Sequence, residues 1–457
     1  MKHIPPFIRS ALLLIVFLQS TASTQAQRTV KPLSTKTVVF TNVNVLSMEN
    51  DKILLDLTVV ISNGRIAAVG PTAQIKVPAN AFQISGKNKY LLPGLSDMHV
   101  HLPYNQDDVK DTPALLHLFV VNGVTTVLNL LGLPSHLELR DRIDKGTEFG
   151  PVIFTSGFYI NEPFVRTADE VEAKVIEQKR AGYDVIKMHG NLSREAYHRL
   201  FEVARREKIK VIGHAPRNLG YQPMLEERQD AVAHAEEYVT AYFGFNRRCC
   251  TAEEIGPMVR YISTETAKAG TWVIPTLTIF KGIAPQIKDL PAVLNQPTMR
   301  YVPSSIAADW QPDRNRYKQN KKEEIQTFEG VYGLQAYLVK GFRDAGVRLL
   351  AGTDTPVTAA VVPGFSIHQE LENLVEAGLT PYEALRAATS NAAKFLEQSS
   401  EFGTITVGKR ADLLLIDQNP LNDIRATTQI SGVMIRGRWL PKAELDSMLA
   451  KLSTLKK

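Results

Sequence analysis

The chain has 457 residues, of which 44% are hydrophobic and 22% are charged, so it can bury a large core and is not expected to be disordered. The formal net charge is +6, and because the basic residues are scattered among acidic ones, nucleic acid is not an expected partner. The two cysteines, Cys249 and Cys250, are neighbours in the sequence and supply no long-range disulfide.

Residues 1–26 have the pattern of a secretory signal peptide. Lys2 and Arg9 come before an apolar run from Ala11 to Leu18, and small polar residues follow as far as Ala26, where cleavage is expected. The run is too short to span a membrane, although a retained N-terminal anchor is the alternative interpretation. No later segment has the apolar length of a membrane helix. The sequence therefore predicts a periplasmic or secreted protein with no membrane contact after signal cleavage.

Two short β-rich segments flank a longer region in which strands alternate with helices. The segments are residues 37–92 and 403–441. Both have the same pattern of short predicted strands and turns, which predicts one composite β-sandwich. The alternation in residues 93–402 predicts an α/β fold with a parallel sheet, specifically a TIM-type (β/α)8 barrel. Residues 442–457 are predicted to form a C-terminal helix or tail. The eight predicted barrel strands are 90–102, 123–131, 151–159, 183–190, 210–215, 230–236, 271–278 and 348–355.

Local signals mark the helix boundaries of this region. Thr167–Glu170 and Ser193–Ala196 predict two helix starts, whereas Gly182 and Gly270 predict two helix ends. The connection over residues 280–330 is unusually long for a link between a strand and a helix. Its sequence fits either a solvated, partly helical insertion or a lid over the barrel mouth.

The segment from Pro93 to His101 reads PGLSDMHVH and places His99 and His101 two residues apart on a predicted strand. Residues two apart on a strand point to the same face, so both imidazoles are expected inside the barrel. Taken alone, such a pair is as compatible with a structural role as with metal binding.

Other predicted strands carry further residues with metal-ligand chemistry at their carboxyl ends, the edge at which barrel enzymes hold their active sites. Burial of several unpaired imidazoles at one edge for structure alone is unfavourable. The sequence therefore predicts a metal site built from the histidine pair together with Lys187, His214, His234 and Asp354.

These residues, with the motifs GHA at 213–215, AGTD at 351–354 and PYEALRAATSNAA at 381–393, resemble the amidohydrolase superfamily. Within it, the chain is most similar to the imidazolonepropionase-like and prolidase-like branch, over about residues 37–438. The resemblance implies a metal-dependent amidohydrolase with two divalent metal ions, zinc by default. One ion is expected on His99, His101 and Asp354, and the second on His214 and His234.

The resemblance also implies that Lys187 bridges the two ions after carboxylation by carbon dioxide, because an ammonium group has no lone pair to offer. The alternative is an unmodified Lys187 paired with Asp354 beside a single metal. Single-metal deaminases of the superfamily usually have a glutamate three residues after the strand-five histidine, but this chain has Arg217 there. Glu236 and Glu237 follow His234 and are alternative proton shuttles.

The implied reaction is hydrolysis of an amide or peptide bond in a small molecule, such as an X-Pro dipeptide or an N-acyl amino acid. Water activated between the two metal ions would attack, and Asp354 would carry the proton. His189, Arg217 and Tyr238 are candidate substrate-binding residues, the last two for a carboxylate. The alternatives are a cyclic amide or lactone hydrolase, a mononuclear deaminase and a non-catalytic binding protein. The resemblance also allows a homo-oligomer.

Overall fold

The computed structural model describes residues 28–103, 109–243, 252–359 and 361–454. The predicted signal peptide, Cys249 and Cys250 lie outside the described residues. Within the described ranges, no helix combines the length and the apolar character needed to cross a membrane.

The amino-terminal part of the chain forms five short strands with hydrophobic residues on their buried positions. They are β1 (Val38–Leu46), β2 (Ile53–Ser62), β3 (Arg65–Pro71), β4 (Phe82–Ser85) and β5 (Tyr90–Pro93). β1 pairs antiparallel with β2, and it pairs parallel with β4 and β5 along successive parts of its length.

Residues 93–402 contain seven short parallel strands, and every residue of six of them is buried, as expected for a sheet covered on both faces. They are β6 (Leu95–Val100), β7 (Val124–Asn129), β8 (Val152–Thr155), β9 (Val185–Met188), β10 (Lys210–Gly213), β11 (Ala231–Ala233) and β12 (Trp272–Ile274).

These strands form one three-stranded sheet, β6-β7-β8, and one four-stranded sheet, β9-β10-β11-β12. The predicted eighth strand is an extended segment that makes only isolated parallel bridges, from Leu349 to Val273 in β12 and from Thr355 to Val100 in β6. Another isolated bridge joins Ser156, after β8, to Val185 in β9. The order of these pairings and bridges matches the predicted order of the strands.

Helices connect the strands and cover them. They are α1 (Thr112–Val121), α2 (Pro134–Lys145), α3 (Ala168–Ala181), α4 (Arg194–Glu207), α5 (Gln222–Glu226), α6 (Glu236–Phe243), α7 (Ala252–Ala269), α8 (Leu277–Lys281), α9 (Ile283–Leu294), α10 (Ser304–Asp309), α11 (Ile325–Asp344), α12 (Phe365–Glu376), α13 (Pro381–Ala387) and α14 (Ser390–Phe395). Short 3-10 helices occupy Pro297–Tyr301, Lys322–Glu324 and Ile424–Thr428.

The predicted helix boundaries agree with the structure. The Thr167 hydroxyl accepts from the Glu170 amide at 3.2 Å, and the Ser193 hydroxyl accepts from the Ala196 amide at 3.1 Å. These bonds satisfy amides that the first turn of a helix leaves without a partner. Gly182 ends α3 in the left-handed conformation, with φ 90°, which costs a glycine little because it has no Cβ.

The carboxyl-terminal strands return to the first sheet. β13 (Leu413–Ile416), β14 (Ile430–Ile435) and β15 (Arg438–Pro441) form a meander, and β13 pairs antiparallel with β5. The result is one eight-stranded sheet in the order β15-β14-β13-β5-β1-β2-β3, with β4 beside β1. Both ends of the chain therefore build one unit, and α15 (Lys442–Thr454) follows it.

Alternation along β13 shows how this sheet joins the rest of the molecule. Leu413 and Leu415 pack in the core of the sheet itself, whereas Leu414 and Ile416 belong to the large core shared with α1 and the strands of residues 93–402. Successive side chains of a strand point to opposite faces, so one strand contributes to both cores.

Candidate active site

The six predicted ligand residues meet at one end of the parallel strands. His99 is the last residue but one of β6, Lys187 lies in β9, and His214 and His234 directly follow β10 and β11. All six line one cavity of about 410 Å³, which we call the histidine cavity. Its other polar lining residues are Tyr159, His189, Arg217, Glu236, Arg316 and Tyr317.

Asp354 is the centre of the first group of ligand residues. One carboxylate oxygen, Oδ1, lies 2.8 Å from Nε2 of His101 and 3.1 Å from Nε2 of His99. Burial alone would raise the pKa of Asp354, but the imidazoles of His99, His101 and His234 hold it well below its usual range. Asp354 is therefore ionised at neutral pH.

His214 and His234 form the second group, with ring centroids 4.9 Å apart. Nδ1 of His214 is bonded to the carboxylate of Glu237, and Nδ1 of His234 lies 2.7 Å from the hydroxyl of Thr276. These partners leave Nε2 of each ring as the nitrogen that can bind a metal ion.

Lys187 lines the same cavity and is only 2% exposed. Its Nζ is 3.5 Å from Nε2 of His99. Burial lowers the pKa of Lys187 to about 8, although Asp354 and Glu237 act in the opposite direction. Its amine is therefore much easier to deprotonate than that of an exposed lysine.

The backbone around the ligands is strained. His234, Asp354 and Thr276 have φ values of 75°, 58° and 51°, a left-handed region that is unfavourable for residues other than glycine. Such conformations cost on the order of 1 kcal/mol each and are concentrated at functional sites. In two places a glycine allows close approach: a Cβ on Gly213 would lie 2.1 Å from the Met188 carbonyl oxygen, and one on Gly352 would lie 2.9 Å from the His99 amide nitrogen.

A buried carboxylate connects the ligands of β6 to the segment that carries Asp354. Asp97 accepts from the Thr353 hydroxyl at 2.7 Å, from the Thr353 amide at 3.1 Å and from the His99 amide at 3.2 Å. It is fully buried, and burial raises its pKa to about 7. Asp97 thus fixes the two segments that hold His99 and Asp354.

The donor set suits a divalent metal ion. His99, His234 and Asp354 place one ligand atom each within 4.8 Å of one another, and imidazole with carboxylate is the combination that zinc and similar ions bind. Burial lowers the pKa of His99 to about 3 and those of His214 and His234 well below the usual value. The rings are therefore neutral, the form in which histidine binds metal.

The structure separates the three candidate substrate-binding residues. His189 lines the histidine cavity, stacked on Tyr159 with centroids 4.8 Å apart, and burial lowers its pKa to about 4. Arg217 also lines this cavity. Tyr238, in contrast, is fully buried beside Phe342, and its hydroxyl lies 3.3 Å from that of Thr266. Tyr238 lies in the first turn of α6 with its side chain in the core, and it does not line the histidine cavity. This position argues against the predicted substrate role.

Sequence reasoning missed two parts of the site. It considered Glu237 only as a proton shuttle and did not find Thr276, because both depend on loop conformations. It also did not assign the wall that the 280–330 connection supplies. The residues of this connection that line the histidine cavity are Phe280, Arg316, Tyr317 and Phe328. In the sequence, aromatic residues and an arginine in a long loop do not indicate that they lie at a site.

Comparison with known proteins gives a family match and a similar curated protein. Residues 329–440 match the amidohydrolase family. The chain is 24% identical over 419 residues to the 5-methylthioadenosine/S-adenosylhomocysteine deaminase of Caldanaerobacter subterraneus subsp. tengcongensis, covering 84% of this chain and 86% of that protein.

Solved structures are similar over most of the chain. A Bifidobacterium longum protein assigned as a prolidase is 25% identical, with a TM-score of 0.67, and the match covers 92% of this chain and 99% of that one. A Xaa-Pro dipeptidase with methionine in its active site is 19% identical, with a TM-score of 0.69, covering 89% of this chain and 100% of that one. These similarities imply a TIM barrel with a separate smaller domain.

Proposed function

We propose that the chain is a member of the amidohydrolase superfamily and a hydrolase that acts on carbon–nitrogen bonds. The proposed reaction is cleavage of the amide bond of an X-Pro dipeptide or an N-acyl amino acid at a two-metal site. The observation that carries the two-metal proposal is the position of Lys187. It is buried beside His99, with Nζ 3.5 Å from Nε2 of that ring, and it lines the same cavity as the other five predicted ligand residues.

A buried ammonium beside several metal ligands would be unfavourable, because it would repel the cations that those ligands attract. In the reaction of the neutral amine with carbon dioxide, an N–C bond forms, one C=O π bond breaks and the nitrogen loses a proton to solvent. Lys187 becomes a carbamate, which is anionic and has two oxygen atoms. The lowered pKa of Lys187, about 8, favours this reaction because it raises the fraction of neutral amine. His99, His101 and Asp354 would hold one ion, His214 and His234 the second, and Lys187 both.

Divalent ions, zinc by default, would supply the Lewis acidity that lowers the pKa of a water molecule and polarises the amide carbonyl. The rest of the reaction falls to side chains of the chain. The carboxylate of Asp354 is ionised and can accept a proton from the attacking water, then pass it to the leaving nitrogen. Arg217 and neutral His189 line the cavity and would offer hydrogen bonds to the substrate.

A mononuclear deaminase is the second candidate. Glu236 lines the histidine cavity, is 7% exposed and has a pKa raised to about 7 by burial, with Glu237 acting in the same direction. Such a carboxyl group could shuttle protons in place of the glutamate that Arg217 replaces. The similarity to a relative named as a deaminase also favours this candidate.

Two structural and cellular proposals accompany the function. The isolated bridges of residues 348–355 support a closed (β/α)8 barrel, with the composite sheet as a separate β-sandwich. Residues 1–26 support export to the periplasm or medium.

The test measures metal content per chain, the release of free amino acid from X-Pro dipeptides and N-acyl amino acids, and the release of ammonia from aminopurine nucleosides. We expect two ions and amide cleavage, and we expect Lys187→Met to lose one ion and more than about 100-fold in kcat/KM. Lys409→Met is the matched control, because Lys409 is half-buried in contact with Thr404. One ion, ammonia release and little effect of Lys187→Met would favour the deaminase.

A further inference from the structure

The 280–330 connection folds onto the loop that follows Asp354. Trp310 is 2% exposed, and its indole Nε1 donates to the carbonyl oxygen of Pro356 at 3.1 Å. Because this donor is buried and paired, the contact fixes the connection to the loop. The connection is therefore not a freely solvated insertion at this point.

A second, buried polar network holds the same segment. Oε1 of Gln286 accepts from Nδ2 of Asn315 at 3.1 Å and from the hydroxyl of Thr358 at 3.0 Å, and Nε2 of Gln286 donates to the carbonyl oxygen of Gly282 at 2.8 Å. All three side chains are less than 5% exposed. Leaving any one of these polar groups unpaired would be costly, so the network defines one position for the segment.

The segment held in this way presents Arg316 and Tyr317 to the histidine cavity. Oδ1 of Asn315 accepts from the Tyr317 amide at 2.8 Å, which sets the backbone of both residues. Burial raises the pKa of Tyr317. The positive charge of Arg316 lowers this pKa, whereas the carboxylates of Asp354 and Glu236 raise it further. Tyr317 lines the same cavity as Asp354 and Glu236.

Arg316 differs from its neighbour Arg314 in its ionic partners. Arg314 is paired with Asp309 at 3.2 Å. The guanidinium of Arg316 lies 5.6 Å from the ring centroid of Tyr317, and in the described part of the chain no carboxylate forms an ion pair with it. Arg217, the other arginine of the histidine cavity, is 3.8 Å from Glu237. Among the described residues, Arg316 is therefore the arginine of the histidine cavity that has no carboxylate within ion-pair distance.

We infer that Arg316 is a specificity-determining residue that binds the free carboxylate of the substrate, so that the enzyme prefers amides of amino acids with an uncapped carboxyl terminus. A planar guanidinium forms two parallel hydrogen bonds with a carboxylate. Phe280, Phe328 and Val357 line the same cavity, and they select an apolar side chain next to that carboxylate. This inference rests on the proposed function, because it names the substrate class of the same site.

The first test compares two substrates that differ only in this charge, an N-acyl amino acid and the same compound with its carboxylate converted to a carboxamide. For Arg316→Met we expect kcat/KM to fall about 10- to 100-fold with the carboxylate substrate and to change less than about twofold with the carboxamide. Arg316→Lys should recover part of the loss. Arg314→Met, the matched control, should behave like the wild type.

The second test measures binding without turnover, by calorimetry with N-acetyl-L-proline and N-acetyl-L-prolinamide. We expect the wild type to prefer the carboxylate compound and Arg316→Met to lose that preference. An Arg316→Met variant that keeps the preference, or that affects both compounds equally, overturns the inference even if amide cleavage is observed. Arg316-dependent binding without any amide cleavage would instead support the inference and refute the proposed function.

Discussion

Two side chains outside the ligand set determine the orientation of the second histidine pair. Glu237 is 2% exposed and bonded to Nδ1 of His214, and Thr276 is fully buried and bonded to Nδ1 of His234. A partner on one ring nitrogen fixes the tautomer and the direction of the other nitrogen, and a carboxylate partner also makes the ring more basic. The ligands are therefore oriented before a metal ion binds.

We expect Glu237→Gln to weaken metal binding about 10- to 100-fold, because an amide holds the His214 ring less firmly and adds no negative charge. The measurement is competition with a chelator of known affinity, with activity followed in parallel. Glu227→Gln is the matched control, since Glu227 also contacts a histidine Nδ1, that of exposed His198 at 2.6 Å. Equal metal affinity in both variants would show that Glu237 does not orient His214.

The common location of the six candidate ligand residues could be predicted from the sequence, whereas their hydrogen-bond partners could not. His99 and His101 follow from a strand period of two, and Lys187, His214, His234 and Asp354 follow from position at strand ends. Glu237 reaches His214 because β10 and β11 pair with Gly213 opposite Val232 and because α6 begins directly after His234. Neither the register nor the start of that helix is written in the local sequence.

At the scale of elements, a buried carboxylate ties α12 to the start of α8. Glu370 is fully buried and accepts from the amides of Leu277 and Thr278 at 3.0 Å and 2.8 Å and from the Thr278 hydroxyl at 2.8 Å. These amides belong to the first turn of α8, where they lack helical partners. Glu370 therefore positions the turn between Thr276, which contacts His234, and Phe280, which lines the histidine cavity.

The pH dependence of stability should reveal this carboxyl group. Burial raises the pKa of Glu370 from 4.5 to about 7, despite the bonds from Thr278 and Leu277. Between these values the folded protein binds more protons than the unfolded chain, so folding becomes less favourable as pH rises. Relative to Glu370→Gln, which does not ionise, the wild type should lose on the order of 3 kcal/mol between pH 5 and pH 8.

Urea unfolding at several pH values measures this difference. Glu376→Gln, on the exposed side of the same helix and paired in the wild type with Lys281 at 2.6 Å, is the control and should follow the wild-type pH dependence. Parallel curves for the wild type and Glu370→Gln would mean that Glu370 does not retain its proton in the folded state.

Element order was also predictable, but two elements differ in form. The segment 348–355 was expected as a full strand, yet it bridges its neighbours only at Leu349 and Thr355. Its conformation is governed by tertiary contacts, with Gly352 against His99 and Asp354 in a left-handed conformation. For the 280–330 connection, the sequence could not distinguish a solvated insertion from a lid. The position of this connection depends on hydrogen bonds from Trp310 and Asn315 to residues that are distant in the sequence.

At the scale of the whole molecule, a buried charge cluster joins the composite sheet to the rest. The Asp412 carboxylate, 4% exposed, accepts from the Arg436 amide at 2.7 Å and from Nε of Arg410 at 2.5 Å. The guanidinium of Arg436 is fully buried and contacts the carbonyl oxygen of Ile143 in α2. Burial lowers the pKa of Arg436 to about 10, and Asp412 opposes that change.

Asp412→Asn should lower the free energy of unfolding by about 3–5 kcal/mol, because it leaves the buried guanidinium of Arg410 without its paired carboxylate and removes a negative charge beside buried Arg436. Asp423→Asn is the matched control: Asp423 forms an exposed pair with Arg425 at 2.7 Å, and loss of such a pair costs at most about 1 kcal/mol.

The measurement is the urea midpoint, with fluorescence and circular dichroism followed together. Because Arg436, directly after β14, contacts α2, the two signals should also separate in Asp412→Asn. The composite sheet would lose its contact with residues 93–402 before those residues unfold. Equal midpoints for the two variants would show that the charge cluster does not hold the two units together, and that the hydrophobic contacts of Leu414 and Ile416 are sufficient to do so.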